Sequence, residues 1–177
     1  MSNVTEINIK NMYSLEHTAA KEYLEKLTYP WEALPHIKDY ILEIGSGLSC
    51  EEYNQVSENV WIHKSAKVFD SAYISGPTII GPDTEVRQCA FIRGNALVGA
   101  GCVIGNSTEL KNVIIFDSVQ VPHYNYVGDS ILGYKSHMGA GSITSNVKSD
   151  KTLVVIKTEP PVETRQKKVG AMLGDFV

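Results

Sequence analysis

Aliphatic residues recur at every sixth position from Ile62: Val68, Ile74, Ile80, Val86, Ile92, Val98, Ile104 and Leu110 follow, with Phe116 and Pro122 continuing the register. Four places after each of the first eight stands a small residue: Ala66, Ala72, Thr78, Thr84, Ala90, Ala96, Cys102 and Thr108. An even period keeps all these side chains on one side of an extended chain; it is not a helical period. The pattern predicts a coil of short strands, one hexad per side, with aliphatics inside and stacked coils burying a continuous core. A β-sandwich would not hold one phase over about 60 residues. The repeat breaks after Pro122 and resumes at Leu132 and Met138, four residues out of phase. Ser145 to Lys168, with Pro160-Pro161, reads as a loop leaving the coil. A rung restarts at Leu173 and stops at Val177, so further coils or another subunit are expected to cover that end.

The N-terminal third has a different pattern. Residues 1–12 read as an extended or disordered lead. Leu15, Ala19, Tyr23 and Leu24 form one stripe and predict a helix from Ser14 to Leu27. Thr28-Tyr29-Pro30 ends it, because a residue before proline avoids the α region. A short turn at Trp31–Leu34 and a helix from Pro35 to Ile44 follow, stopped by Gly45 and Gly47. Trp31 and Tyr40 are read as core residues rather than a ligand platform. Two helices bury too little surface to stand alone, so residues 1–58 are expected to dock as a helical cap on a solenoid spanning 59–177 and truncated at its C-terminus.

Composition narrows the partners. Of 177 residues 43% are hydrophobic and 20% charged, with a formal charge of −4, which leaves no footprint for nucleic acid and no basic membrane patch. No secretory h-region and no run of 18 apolar residues occurs, so a cytoplasmic protein is expected. Cys50, Cys89 and Cys102 have no metal-ligand spacing, and Cys102 falls at an inward position, as a buried free thiol.

Charge that matters must therefore be local. With three hexads per coil, positions 18 apart stack at strand spacing; Arg93 and Lys111 are so related, and each follows an inward aliphatic. Two stacked cations repel unless carboxylates such as Glu85 or Glu109 neutralise them, and a phosphate between them would turn that repulsion into binding. His123 follows Pro122 at the same outward position and is read as a general base. No second histidine or cysteine at ligand spacing accompanies it, so no metal is expected. Tyr126 offers a hydroxyl and a ring face, and Gly139-Ala140-Gly141 approachable backbone amides.

The motifs GNSTELKN, VPHYNYVGDSILG and MGAGSITSN, with their spacing, make the segment from Arg93 to Asn146 resemble the acetyltransferase domain of bifunctional sugar-1-phosphate nucleotidylyltransferase / glucosamine-1-phosphate N-acetyltransferases. The resemblance implies a mainly β fold, a left-handed parallel β-helix of hexapeptide repeats, and a homotrimer with sites between subunits. It implies acetyl transfer from acetyl-CoA to an amino-sugar phosphate or nucleotide amino sugar, in UDP-N-acetylglucosamine-type synthesis. By position, His123 matches the general base, Arg93 and Lys111 the phosphate grip, Tyr126 a sugar contact, Asn146 the amide that orients the accepting amine, and Ala140 a backbone contact to the acyl donor. His137 stands where the family has a sugar-contacting Asn. No GxGTRM-type loop occurs in residues 1–60, so uridylyl transfer is not expected. The alternatives are a non-catalytic sugar-phosphate or nucleotide-sugar binding module and a purely structural trimerisation solenoid.

Overall fold

The computed structural model describes residues 4–177. Strands β1 (Tyr53–Ser57), β2 (Val60–His63), β3 (Lys67–Val68), β4 (Tyr73–Ile74), β5 (Thr78–Ile80), β6 (Glu85–Val86), β7 (Phe91–Ile92), β8 (Ala96–Val98) and β9 (Val103–Asn106) follow one another around the coil. They continue through β10 (Glu109–Ile115), β11 (Gln120–His123) and β12 (Tyr126–Leu132), and then β13 (Val155–Ile156), β14 (Val162–Glu163) and β15 (Met172–Leu173). Three parallel stacks result. One side is β2-β5-β8-β10-β12-β15, the second β3-β6-β9-β11, and the third β4-β7 continued by the first residues of β10 and β12. The hexad aliphatics Ile80, Val86, Ile92, Val98, Ile104 and Leu110 are fully buried in the lumen. The parallel β-solenoid follows from the repeat.

The repeat slips earlier than the spacing predicts. Ile80 pairs with Val98, but Val98 then pairs with Ile115 and Ile104 with Val121. Ile115 and Val121, not Phe116 and Pro122, thus take the inward places. The cause is one residue lost at a corner: Gly94 and Asn95 both have positive φ, whereas the next coil turns on Asn112 alone (φ 55) and the one after on Asp129 (φ 50). Phe116 is nevertheless fully buried, because Tyr13 packs against it with ring centroids 5.2 Å apart. Hydrophobicity alone therefore does not reveal the slip.

The N-terminal segment lies along the side of the solenoid rather than over its end. Helix Ile37–Ser46 contacts β5, β8 and β10, and the 3₁₀ turn Pro30–His36 contacts β12. That is why Ile79, Leu97, Ile114 and Ile131, which point away from the lumen, are as buried as the lumen itself. Gly45 passes over Trp61 so closely that a Cβ would meet the indole at 2.5 Å. The edge of β2 is covered by β1, which pairs with it antiparallel. Trp31 is buried and stacks on Tyr29, as a core residue.

Two local expectations are corrected. Ser14–Leu27 is not one helix: turns Leu15–His17 and Lys21–Leu24 are separated by extended Thr18 (φ −155), whose hydroxyl accepts the Ala20 N–H. Tertiary contacts hold the break, since His17 stacks on Tyr134 at 3.6 Å and its carbonyl accepts the Asp117 N–H. The lead also holds short turns at Val4–Ile7 and Ile9–Met12, with Ile9 buried; residues 1–3 lie outside the described residues. At the other end Ser145–Lys168 leaves the coil as a loop containing the antiparallel pair β13–β14, and β15 then returns onto β12.

Candidate functional site

The shortened corners gather most of the polar side chains singled out by the spacing. Lys111 aligns with Gly128, and Arg93 N–H donates to the Leu110 carbonyl of the next rung, so Arg93 and Lys111 stack as expected. Both face carboxylates. Arg93 Nη1 lies 2.7 Å from Glu109 Oε1, which raises the guanidinium pKa, and Lys111 Nζ is 4.0 Å from Asp129 Oδ2. Of the two carboxylates expected to neutralise the cation pair, Glu109 does so, while Glu85 pairs with Lys67 and Arg87 and Asp129 takes its place at Lys111. Two positive and two negative groups leave the corner locally neutral.

Asp129 is the centre of this corner. It is 5% exposed, the one charged residue among the buried residues described. Its Oδ1 accepts from Asn112 Nδ2 at 2.9 Å and its Oδ2 from Asn146 Nδ2 at 2.5 Å. Asn146 Nδ2 also reaches Tyr126 Oη at 3.3 Å. Asn112 Nδ2 additionally contacts the Leu34 carbonyl, which ties the N-terminal segment to the corner. The Asp129 carbonyl accepts the Gly170 N–H at 2.7 Å, tying in the returning chain. Gly128 makes room: a Cβ there would meet Tyr126 Oη at 2.5 Å and Asn146 Nδ2 at 3.0 Å.

His123 does not share the register of Arg93 and Lys111. Val121 takes the inward place, Pro122 the next, and His123 pairs with Asn106 at the following corner, exposed. Its carbonyl accepts the Gly141 N–H at 3.0 Å, which sets Ala140 beside it on the next rung. Buried Asn125 braces this corner, accepting from the His123 N–H at 3.1 Å and donating to the Gly139 carbonyl at 2.8 Å. His137 is exposed on the same side as His123, bridged to Gln120. Between the two corners runs a column of paired positions, Tyr73, Phe91, Glu109, Tyr126 and Ile143. The structure brings together Arg93, Lys111, Tyr126 and Asn146, puts His123 and Ala140 at the opposite margin of that face, and leaves His137 on the second side, level with Gln120 and three positions before that corner. Spacing did not single out Asn112, Asn125 or Asp129. An asparagine or aspartate at a left-handed corner is a turn signal, and nothing in the spacing separates one that also reaches a neighbouring rung.

No group of three or more His, Cys, Asp or Glu among the described residues is arranged to hold a metal ion, and no helix there is long and apolar enough to cross a membrane.

A hexapeptide-repeat parallel β-solenoid whose polar corner stacks an Arg and a Lys beside an oriented amide defines the class. The chain belongs to the family described as the GMPPB C-terminal domain, whose model matches residues 74–164. It is also 34% identical over 157 residues to the bifunctional protein GlmU of Methanococcus maripaludis (strain C5), covering 88% of this chain and 38% of that protein. The bifunctional protein GlmU of Nostoc sp. (strain PCC 7120) is 42% identical over 119 residues, covering 66% and 24%. The chain thus spans about two-fifths or less of the length of these curated relatives. A solved structure titled acetyltransferase domain of PglB, from Neisseria gonorrhoeae FA1090, overlaps 63% of this chain and 52% of that one, with a TM-score of 0.47 and 16% identity.

Proposed function

We propose that the chain is a cytoplasmic N-acetyltransferase that moves acetyl from acetyl-CoA to the amine of an amino-sugar phosphate of the glucosamine-1-phosphate type, or of a nucleotide amino sugar. The observation that carries this reading is the stack of Arg93 and Lys111 beside the Tyr126–Asn146 pair, a phosphate grip next to a sugar-facing amide. The resemblance in GNSTELKN, VPHYNYVGDSILG and MGAGSITSN supplies the roles. Arg93 is exposed enough to exchange Glu109 for a substrate phosphate, and Lys111 at 4.0 Å from Asp129 keeps its N–H donors for the same group.

The sugar bridges the face between the two corners. His123 takes a proton from the substrate ammonium, the freed nitrogen pair forms a C–N bond to the thioester carbonyl carbon, and as the C–S bond breaks the departing thiolate takes the second nitrogen-bound proton and leaves as the thiol. Ala140, on the rung beside His123, contacts the donor, and His137 contacts the sugar. Acetyl-CoA supplies the activated acyl group; no metal is required. The exposed residues Tyr73, Phe91 and Ile143 (61%, 41% and 68%) make that face apolar enough to pack on another copy, in a homotrimer whose sites are closed by a neighbour. A strictly monomeric mass at micromolar concentration would remove the intersubunit site.

One observation favours the second reading, a non-catalytic sugar-phosphate binding or regulatory module: among the described residues no side chain orients the His123 imidazole. Thiol release from acetyl-CoA with glucosamine-1-phosphate, run beside His123→Ala, decides between them. Release that drops at least about a hundredfold in the variant supports the transferase. Binding of the sugar phosphate without release supports the module. Loss of neither on Arg93→Ala/Lys111→Ala would leave only a scaffold.

A further inference from the structure

We propose that Asp129 is a positioning residue that fixes which end of the Asn146 amide faces the substrate, so that the site selects an amine over a hydroxyl on the sugar phosphate. The inference rests on the sugar-phosphate reading and adds to it the origin of the amine preference.

An ionised carboxylate only accepts hydrogen bonds. Asp129 Oδ2, 2.5 Å from Asn146, therefore requires the NH2 end of that amide, and Tyr126 Oη at 3.3 Å sits on the same end. The side-chain oxygen Asn146 Oδ1 is thereby turned away from the corner, with no hydrogen-bond donor among the described residues. A half-buried acceptor beside a phosphate grip suits a protonated amine, which only donates. The reversed amide would present N–H groups and repel it.

Asp129 itself has little freedom. Its Oδ1 is held by Asn112 at 2.9 Å, its carbonyl by Gly170 at 2.7 Å, and the residue is 5% exposed. The arrangement depends on the shortened corner. In the regular coil Asn95, preceded by the extra Gly94, holds the register place of Asp129, and among the described residues no side-chain hydrogen bond joins it to the next rung. The same carboxylate faces Lys111 at 4.0 Å, so it tempers the phosphate grip while orienting the amide.

These two roles give Asp129→Asn a signature that loss of structure does not share. An amide at 129 no longer dictates the orientation of Asn146, so affinity for glucosamine-1-phosphate should fall roughly tenfold, toward that for glucose-1-phosphate. Affinity for glucose-1-phosphate should hold or rise, because Lys111 loses its counter-charge. The test is calorimetric titration of wild type and Asp129→Asn with both sugar phosphates. Alongside it, the Asn146 side-chain NH2 resonances are recorded by NMR without ligand. These should be shifted downfield and slow to exchange in wild type, and ordinary in the variant. Equal losses for both ligands, or an undiminished amine preference, would overturn the proposal. Ordinary Asn146 resonances in the wild type would do so as well. Wild type that binds neither sugar phosphate, with the resonances as expected, would overturn the sugar-phosphate reading and the selectivity with it, leaving only the Asp129–Asn146 bond. If Asp129→Asn fails to fold, the exchange Asp129→Asn/Asn146→Asp restores one carboxylate and one amide, and must recover the amine preference.

Discussion

The coils above Leu110 and those below it are built from the same hexads but differ by one residue per turn. Above, the rungs repeat every 18 residues, as in Ile62–Ile80–Val98; below, they repeat every 17, as in Val98–Ile115–Leu132. The regular coils are nearly all packing. Thr84, Ala90, Ala96 and Cys102 fill the lumen, and outward Ile79 and Leu97 hold the N-terminal segment. The shortened coils carry Lys111, Asn112, Tyr126, Asp129 and Asn146 in one hydrogen-bonded patch. A corner that turns on one residue instead of two brings its own side chain against the next rung. The site forms where the repeat is imperfect, and the perfect part supplies the stiffness behind it.

The same substitution should break the two regions differently. In the regular part Gly81→Ala puts a Cβ 2.6 Å from the Gly99 backbone, where neither rung can yield, so stability should fall by about 3 kcal/mol in a urea titration. Lys111→Met keeps the stem on the shortened corner but removes the charge. Phosphate or sugar-phosphate affinity should fall by about 2 kcal/mol, more than tenfold by calorimetry, with an unchanged melting temperature. Gly128→Ala meets only the ends of the Tyr126 and Asn146 side chains, which can swing aside. Its stability cost should be near 1 kcal/mol, while acetyl transfer drops roughly tenfold as the amide is displaced. Equal stability losses for Gly81→Ala and Gly128→Ala would erase the distinction between the coils.

The smallest effect is alkaline. Burial pushes the Cys102 thiol from 9.0 up to about 12. The folded state therefore holds a proton that the unfolded chain gives up, and the stability this confers is present below pH 9 and lost as pH rises toward 12. Between pH 9 and 10 the loss should be about 1 kcal/mol. Tyr23, raised to about 12 from 10.0, adds most of its share above that window. Cys102→Ala should flatten the slope between pH 9 and 10, measured by urea unfolding. An unchanged slope would place the alkaline sensitivity elsewhere.

How much of this was legible depended on whether a residue's role was periodic. The solenoid, the inward aliphatics through Leu110, the loop at Ser145–Lys168 and the restart at Leu173 all follow from position in a hexad. So does the stacking of Arg93 on Lys111. The helix expected at Ser14–Leu27 was not legible, since contacts of His17 with Tyr134 and Asp117 override local propensity. Phe116 misled because covering by Tyr13 buries an outward residue as completely as the lumen would.

The sequence by itself determined a coil with a hydrophobic lumen and a cluster of polar residues near its later turns, because a six-residue period leaves an extended chain only one way to bury its aliphatics. Only the tertiary structure decided which polar residues meet. The lost corner residue shifts every later pairing by one, setting Asn112 over Asp129 and Asp129 against Asn146. A one-residue slip is invisible to composition and nearly so to spacing, yet it reassigns each rung's neighbours, and with them the hydrogen bonds of the site.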